Sequence, residues 1–283
     1  MGKVARRLGV FFIGIPAVAA LIVFLPHHNH LALNLLVTVL SSLGAVEFAG
    51  MLKIKGFFVR VPEAAVLGSL SPLAMTFIVS FGADGEITRS LFIIGASWLL
   101  ISGIFCRRDD FSLVLSRLAA GFSVMIYPGL LLSWIITMST LEHSTIVLLA
   151  FILTVMVNDS LAWTAGKLFG KNNRGLFPAS PNKSLAGFAG GLASSVLVCV
   201  LLALLIPGAF RPDQIPALPS GVLLGLLSGL AVALGDLAES AIKRGCGLKD
   251  SGALIPGRGG VLDSTDSVAL SAPVFYVLYR FFF

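Results

Sequence analysis

The strongest constraint on this chain is a succession of long apolar runs separated by short polar connections. The runs fall at about 8–25, 31–51, 64–82, 88–106, 118–138, 144–168, 184–206, 219–242 and 265–282, and a helix that crosses a bilayer needs about 20 apolar residues. The expected fold is therefore all-α, a polytopic integral membrane protein of about nine transmembrane helices. With its 283 residues so partitioned, the chain has no room for a separate aqueous domain. Any chemistry has to sit in the membrane or at its surface. Composition agrees: hydrophobic residues make up 57% of the chain and charged ones only 12%, about half the charged share of a soluble domain. The first run follows Lys3, Arg6 and Arg7 as a signal peptide would. Yet Pro26-His27-His28-Asn29-His30 stands where a small-residue cleavage site belongs, so a retained helix is expected.

Charge placement gives the expected orientation. Of the 20 Lys and Arg residues, all but Arg89, Arg211 and Arg280 fall on one side when the loops alternate across these spans, a strong positive-inside bias. It predicts a cytoplasmic N-terminus and an outward C-terminus. The formal charge of +6 then reads as topology, because the cations do not cluster as a nucleic-acid groove requires. Cys106, Cys199 and Cys246 lie in spans or cytoplasmic loops and predict no disulfide framework.

In so apolar a chain, ionisable groups within spans mark functional candidates. Glu47 lies in the second span, Asp159 in the sixth, and Asp236 and Glu239 in the eighth. Asp236 and Glu239 are spaced to share a helix face that continues through Ser240 to Lys243, with Arg244 beside it. For Glu47 alone, a pairing that merely locks helices together is an equal alternative.

The stretch after the eighth span is the most informative. Lys249-Asp250-Ser251-Gly252 leads to Pro256-Gly257-Arg258-Gly259-Gly260 and then to Asp263-Ser264-Thr265-Asp266. Glycines let backbone N–H groups approach phosphate oxygens, and the following helix start adds a favourable dipole end. Asp263 and Asp266, one helical turn apart, point to a shared locus. With Asp236 they form an all-oxygen set suited to Mg²⁺, which keeps waters and takes further ligands from nucleotide phosphates. Such a loop can also be a plain interfacial turn. A second polar segment weighs against that reading. It runs from Asn158-Asp159 to Ser180-Pro181-Asn182-Lys183-Ser184, where two hydroxyls and an ammonium flank a rigid proline turn.

These residues resemble the signature of the phosphatidate cytidylyltransferase (CDP-diacylglycerol synthase) family. Ser240, Ile242, Lys243, Arg244, Lys249, Asp250, Gly252, Ile255, Pro256, Gly259, Gly260, Val261, Asp263 and Asp266 match it in register without a gap. Upstream, Asn158, Asp159, Ser180, Pro181, Lys183, Ser184 and Gly187 match as well. The likeness is specific in the C-terminal half and rests on span pattern alone in the N-terminal half. Three positions depart: Arg258 stands where the family usually has His, Ser264 where it has Arg, and Ala186 where it has Glu.

The resemblance implies transfer of a cytidylyl group from CTP to phosphatidate, giving CDP-diacylglycerol and pyrophosphate at the cytoplasmic face of an inner cell membrane. Catalytic roles fall to Asp236, Lys243, Asp263 and Asp266. Substrate binding falls to Ser180, Lys183, Ser184, Arg244, Lys249, Arg258, Gly259 and Gly260. Mg²⁺ is expected on Asp236, Asp263 and Asp266, with Asp159 and Glu239 as candidates to hold a second cation or orient a lysine. The expected partners are CTP, phosphatidate and the bilayer, without nucleic acid, and a homodimer stays open. Residues 1–140 would form an N-terminal region of about five spans and 141–283 the catalytic region. The alternatives are a CTP-dependent enzyme acting on another lipid, such as a polyprenol kinase or an ether-lipid cytidylyltransferase, an ion-coupled transporter, or a family member that has lost catalysis.

Among weaker features, His27-His28-Asn29-His30 reads better as an outer interfacial loop than as a metal site. Phe57-Phe58-Val59 between basic residues suggests a segment lying on the inner leaflet. The Gly190-Gly191 pair and the spacing of Gly225 and Gly229 favour close helix packing, within the chain or between chains.

Overall fold

The computed structural model describes residues 10–105, 111–212 and 215–283. Lys3, Arg6, Arg7, Cys106, Arg107 and Arg108 lie outside the described residues. Ten α-helices follow one another among the described residues, with two isolated bridges and no strand. They are α1 (Ile15–Phe24), α2 (His27–Lys53), α3 (Val61–Phe81), α4 (Glu86–Ile104), α5 (Val114–Val124), α6 (Leu131–Met138), α7 (Ser144–Phe169), α8 (Leu185–Leu205), α9 (Ala217–Gly245) and α10 (Leu262–Phe282). Helices α5 and α6 are joined by a π-helical segment around Pro128 and make one membrane-length element, Phe111–Met138.

Among the described residues, seven helices are long and apolar enough to cross a membrane. The chain is a multi-pass membrane protein. The apolar run expected at 8–25 forms a shorter helix, Phe12–Phe24. The last expected span, α10, has 21 residues; it carries Asp263 in its first turn and Arg280 in its last, and it is not one of the seven. Side chains such as Ile13, Phe105 and Leu115 are more than two-thirds exposed, as a surface facing lipid rather than water allows.

Contacts divide the chain into two units. The first comprises Met1–Thr140 and Gly245–Ser264, the second Leu141–Arg244 and Thr265–Phe283. The Gly-rich loop after α9 thus belongs with the N-terminal helices, although it follows the C-terminal ones in sequence.

In the first unit α2 packs along α3 through a polar ladder. Asn34 Nδ2 donates to Ser80 Oγ (3.2 Å), the Thr38 and Thr76 hydroxyls meet at 3.2 Å, and Ser42 Oγ donates to the Ala65 carbonyl (3.1 Å). Residues 34, 38 and 42 are spaced by four, so they share one face of α2. Such hydrogen bonds hold helices together where lipid gives no hydrophobic drive. Arg117 grips Glu63 with contacts of 2.7 and 3.0 Å, and Trp98 Nε1 donates to the same carboxylate (2.9 Å). Helix α2 opens with a left-handed turn, φ 52°, 52° and 60° at His28, Asn29 and His30. Asn29 Nδ2 ties it to the Val79 carbonyl (2.7 Å). At the other end of α2, Lys53 lies 5.9 Å over the Phe58 ring, and Phe57 and Phe58 are exposed.

In the second unit small residues let backbones approach. A Cβ on Gly225 would fall 2.5 Å from the Ser195 carbonyl oxygen, and one on Gly191 would fall 2.9 Å from Asn158 Oδ1. The glycine spacings therefore serve packing within the chain, of α8 on α7 and of α9 on α8. Asn158 fills the space they open. Its amide donates to Ser195 Oγ (2.7 Å) and reaches the Gly229 carbonyl (3.4 Å), joining three helices.

Candidate active site

The first unit carries the Gly-rich loop. Ile255 N–H donates to the Gly259 carbonyl (2.7 Å) and Arg258 N–H to the Ile255 carbonyl (3.1 Å), which folds Ile255–Gly259 into a tight turn. Gly257 (φ 83°) and Gly259 (φ 114°) occupy left-handed backbone there, conformations that a side chain would strain. The loop then closes on the first turn of α10. Asp263 Oδ2 accepts from Ser251 N–H (2.8 Å), Ser251 Oγ–H (2.9 Å) and Gly260 N–H (2.8 Å). Three donors converging on one oxygen fix the orientation of this carboxylate. Lys249 is exposed, Arg258 half-buried and Gly260 buried; they belong to this loop, with Asp263 at its base.

The second unit carries the acidic stripe of α9. Asp236 Oδ2 lies 2.6 Å from Lys183 Nζ, and Ser240 Oγ is 3.4 Å from Asp236 Oδ1. One turn on, Glu239 is fully buried and paired with Lys243, which is 9% exposed. Asp266 lies close enough to Asp236, Lys243 and Lys183 to feel their charges. The approach is set by a glycine: a Cβ on Gly235 would fall 2.6 Å from the Asp266 carbonyl oxygen. Arg244 stands exposed at the end of α9, and Asp159 half-buried on α7 beside Asn158.

Lys183 is delivered by the α7–α8 loop. Leu185 N–H donates to the Asn173 carbonyl (3.0 Å) and Gly175 N–H to the Pro181 carbonyl (3.1 Å), and Lys183 N–H closes a turn on the Ser180 carbonyl (3.0 Å). Ser184 is the N-cap of α8, its hydroxyl accepting from Gly187 N–H (3.1 Å). It is buried at 3% exposure, packed where Cβ atoms on Gly166 and Gly170 would meet it. Ser184 thus has a local folding role, whereas Ser180 is half-exposed on the turn.

The anticipated site residues lie on the Gly-rich loop and the first turns of α10, on α9, on the α7–α8 loop and, for Asp159, on α7. Sequence reading passed over Ser251, the hydroxyl that bridges loop and helix. Its place between Asp250 and a glycine was the only signal. The residues fit a hard cation in part. Asp236 and Asp266 supply oxygen donors near one another, yet no group of three His, Cys, Asp or Glu among the described residues is gathered tightly enough to hold a metal unaided. A cation there would complete its shell with water and substrate phosphate.

A multi-pass helical membrane protein with a glycine-turned loop and a carboxylate–lysine stripe fits an enzyme that handles phosphate groups at a bilayer. The chain belongs to the cytidylyltransferase family, whose profile matches residues 5–282. It is 32% identical over 270 residues to the phosphatidate cytidylyltransferase of Staphylococcus aureus (strain COL), across 93% of this chain and 96% of that protein. The enzymes of the same name from Staphylococcus saprophyticus and Staphylococcus epidermidis (strain ATCC 35984) are 31% and 30% identical over 268 residues, with the same coverage.

Proposed function

We propose that this protein is a phosphatidate cytidylyltransferase, converting CTP and phosphatidate to CDP-diacylglycerol and pyrophosphate. The observation that carries the reading is the extent of the match, 93% of the chain against a relative of that name, which takes in both loops and the acidic stripe. A phosphate oxygen of the lipid attacks the α-phosphorus of CTP. The new O–P bond forms as the bond to the β-phosphate bridging oxygen breaks, and pyrophosphate leaves with the electron pair. Because that phosphate is already an anion at neutral pH, the reaction needs placement and charge neutralisation more than a general base.

The histidines fit this economy. His143 stands at the N-cap position of α7 some 16 residues before Asp159, about 24 Å along a helix. Lys183, Lys243, Arg244, Lys249 and Arg258 neutralise phosphate charge, with Ser180 donating from its turn. The backbone of Gly259 and Gly260 approaches the phosphates without side chains in the way. Asp236, Asp263 and Asp266 would hold Mg²⁺, which when bound offsets charge on the nucleotide and on the leaving pyrophosphate. Lys183 pairs with Asp236, and a phosphate competes with that carboxylate for the ammonium. The site faces the cytoplasm, as the distribution of Lys and Arg favours.

The test is purified protein in detergent with phosphatidate, Mg²⁺ and CTP labelled at either phosphate. α-Label entering the lipid is expected. γ-Label entering instead identifies a lipid kinase, and neither label entering removes the reading.

A further inference from the structure

Glu47 has no part in the mechanism above, yet its carboxylate reaches the loop that carries it. It rises from α2, and its Oε2 accepts from Leu262 N–H (3.1 Å) and from Ser251 Oγ–H (3.2 Å). Leu262 is the first residue of α10, so its N–H is one of the donors that a helix start leaves without an intrahelical partner. Glu47 caps that helix from another part of the chain, and its negative charge sits at the favourable dipole end.

The same Ser251 hydroxyl stands 2.9 Å from Asp263 Oδ2 and 3.2 Å from Glu47 Oε2. One hydroxyl carries one proton, so it satisfies only one carboxylate at a time and couples the two. The loop is shaped to admit Glu47. A Cβ on Gly252 would fall 2.7 Å from Glu47 Oε1, and on Gly260 it would run into Glu47 and Ser251. One turn earlier on α2, a Cβ on Gly44 would meet Leu262 at 3.1 Å. Glu47 Oε1 is buried and without a hydrogen-bond partner among the described residues. A carboxylate tolerated in that state has a use that packing alone does not explain.

We infer that Glu47 is a positioning residue for the transfer reaction: acting through Ser251 and the Leu262 amide, it fixes where the Asp263 carboxylate stands. The inference rests on the proposed cytidylyl transfer. It gives the N-terminal helices a part in chemistry beyond anchoring.

The test compares Glu47→Gln, isosteric but uncharged, with Glu47→Asp, which keeps the charge. In ligand-free, metal-free protein, hydrogen exchange at the Ser251, Gly260 and Leu262 amides should quicken at least about tenfold in Glu47→Gln. With substrates, kcat per folded enzyme should fall about 10- to 100-fold while KM for CTP changes little, and Glu47→Asp should recover part of both. Unchanged exchange, or a lower melting temperature with kcat per folded enzyme intact, overturns the inference. If Glu47→Gln does not accumulate, Ser251→Ala replaces it, and unaltered exchange at Gly260 with unaltered kcat there is likewise fatal. The exchange arm decides the role of Glu47 even if wild-type protein transfers no α-label, the result that would instead sink the reaction.

Discussion

Two carboxylate arrangements divide the candidate chemistry, and they are held in opposite ways. In the loop of the first unit, Asp263 accepts from two backbone N–H groups and a hydroxyl, donors that orient a carboxylate. On α9, Asp236 and Glu239 face the ammonium groups of Lys183 and Lys243. Amide and hydroxyl donors orient a carboxylate directly, whereas an ammonium partner has to be displaced before the carboxylate can serve a cation. Phosphate is the group able to draw it away.

The largest effect that would test the contrast is loss of charge at the loop carboxylate. Asp263→Asn should lower turnover by about 10³-fold or more, in protein that folds and keeps its melting temperature within a few degrees. Near-normal incorporation of α-label would end its assignment to metal. Next comes the buried pair. Glu239→Ala removes the carboxylate paired with the Lys243 ammonium in a site 9% exposed and should destabilise by about 3 kcal/mol, read by thermal unfolding in detergent. A Glu239→Leu/Lys243→Met double variant should unfold at a higher temperature than the single one, and an equal or lower value would contradict the pairing argument.

A smaller, more diagnostic change is Lys183→Met. It should raise KM for CTP about tenfold, the scale of one charge-assisted hydrogen bond, and at the same time lower the Mg²⁺ concentration at half-maximal rate, because Asp236 is released. Both constants rising together would show that Lys183 does not compete with the cation. The smallest effect is expected at Ser184. Ser184→Ala removes the α8 cap and should reduce stability by about 1 kcal/mol, with kcat changing less than in any variant above. A large drop in kcat with stability unchanged would return Ser184 to substrate contact.

The site residues were legible in sequence to unequal degrees. Asp236 and Glu239 stood out because a charge inside an apolar helix is costly, and their spacing placed them on one face without further information. The Gly257 and Gly259 turn was equally readable, since only left-handed backbone makes glycine preferable there. Glu47 was visible as a charge, but its partners lie more than 200 positions along the chain. Ser251 looked like one small residue in a loop of them. Lys183 and Ser184 are adjacent and were read alike. Yet one side chain leaves the turn toward Asp236 while the other folds under to cap a helix, an outcome set by backbone direction at the start of α8.

Sequence alone determined the helical class and the membrane setting and nominated the candidate site residues, because all three follow from local quantities: run length, charge placement and motif spacing. Tertiary structure decided which carboxylates meet neutral donors and which meet lysines, and it grouped the loop after α9 with the helices at the other end of the chain. The physical reason is range. Burial and periodicity act over a few residues, whereas a hydrogen bond from Leu262 to Glu47 exists only once the folded backbone has brought distant segments within about 3 Å.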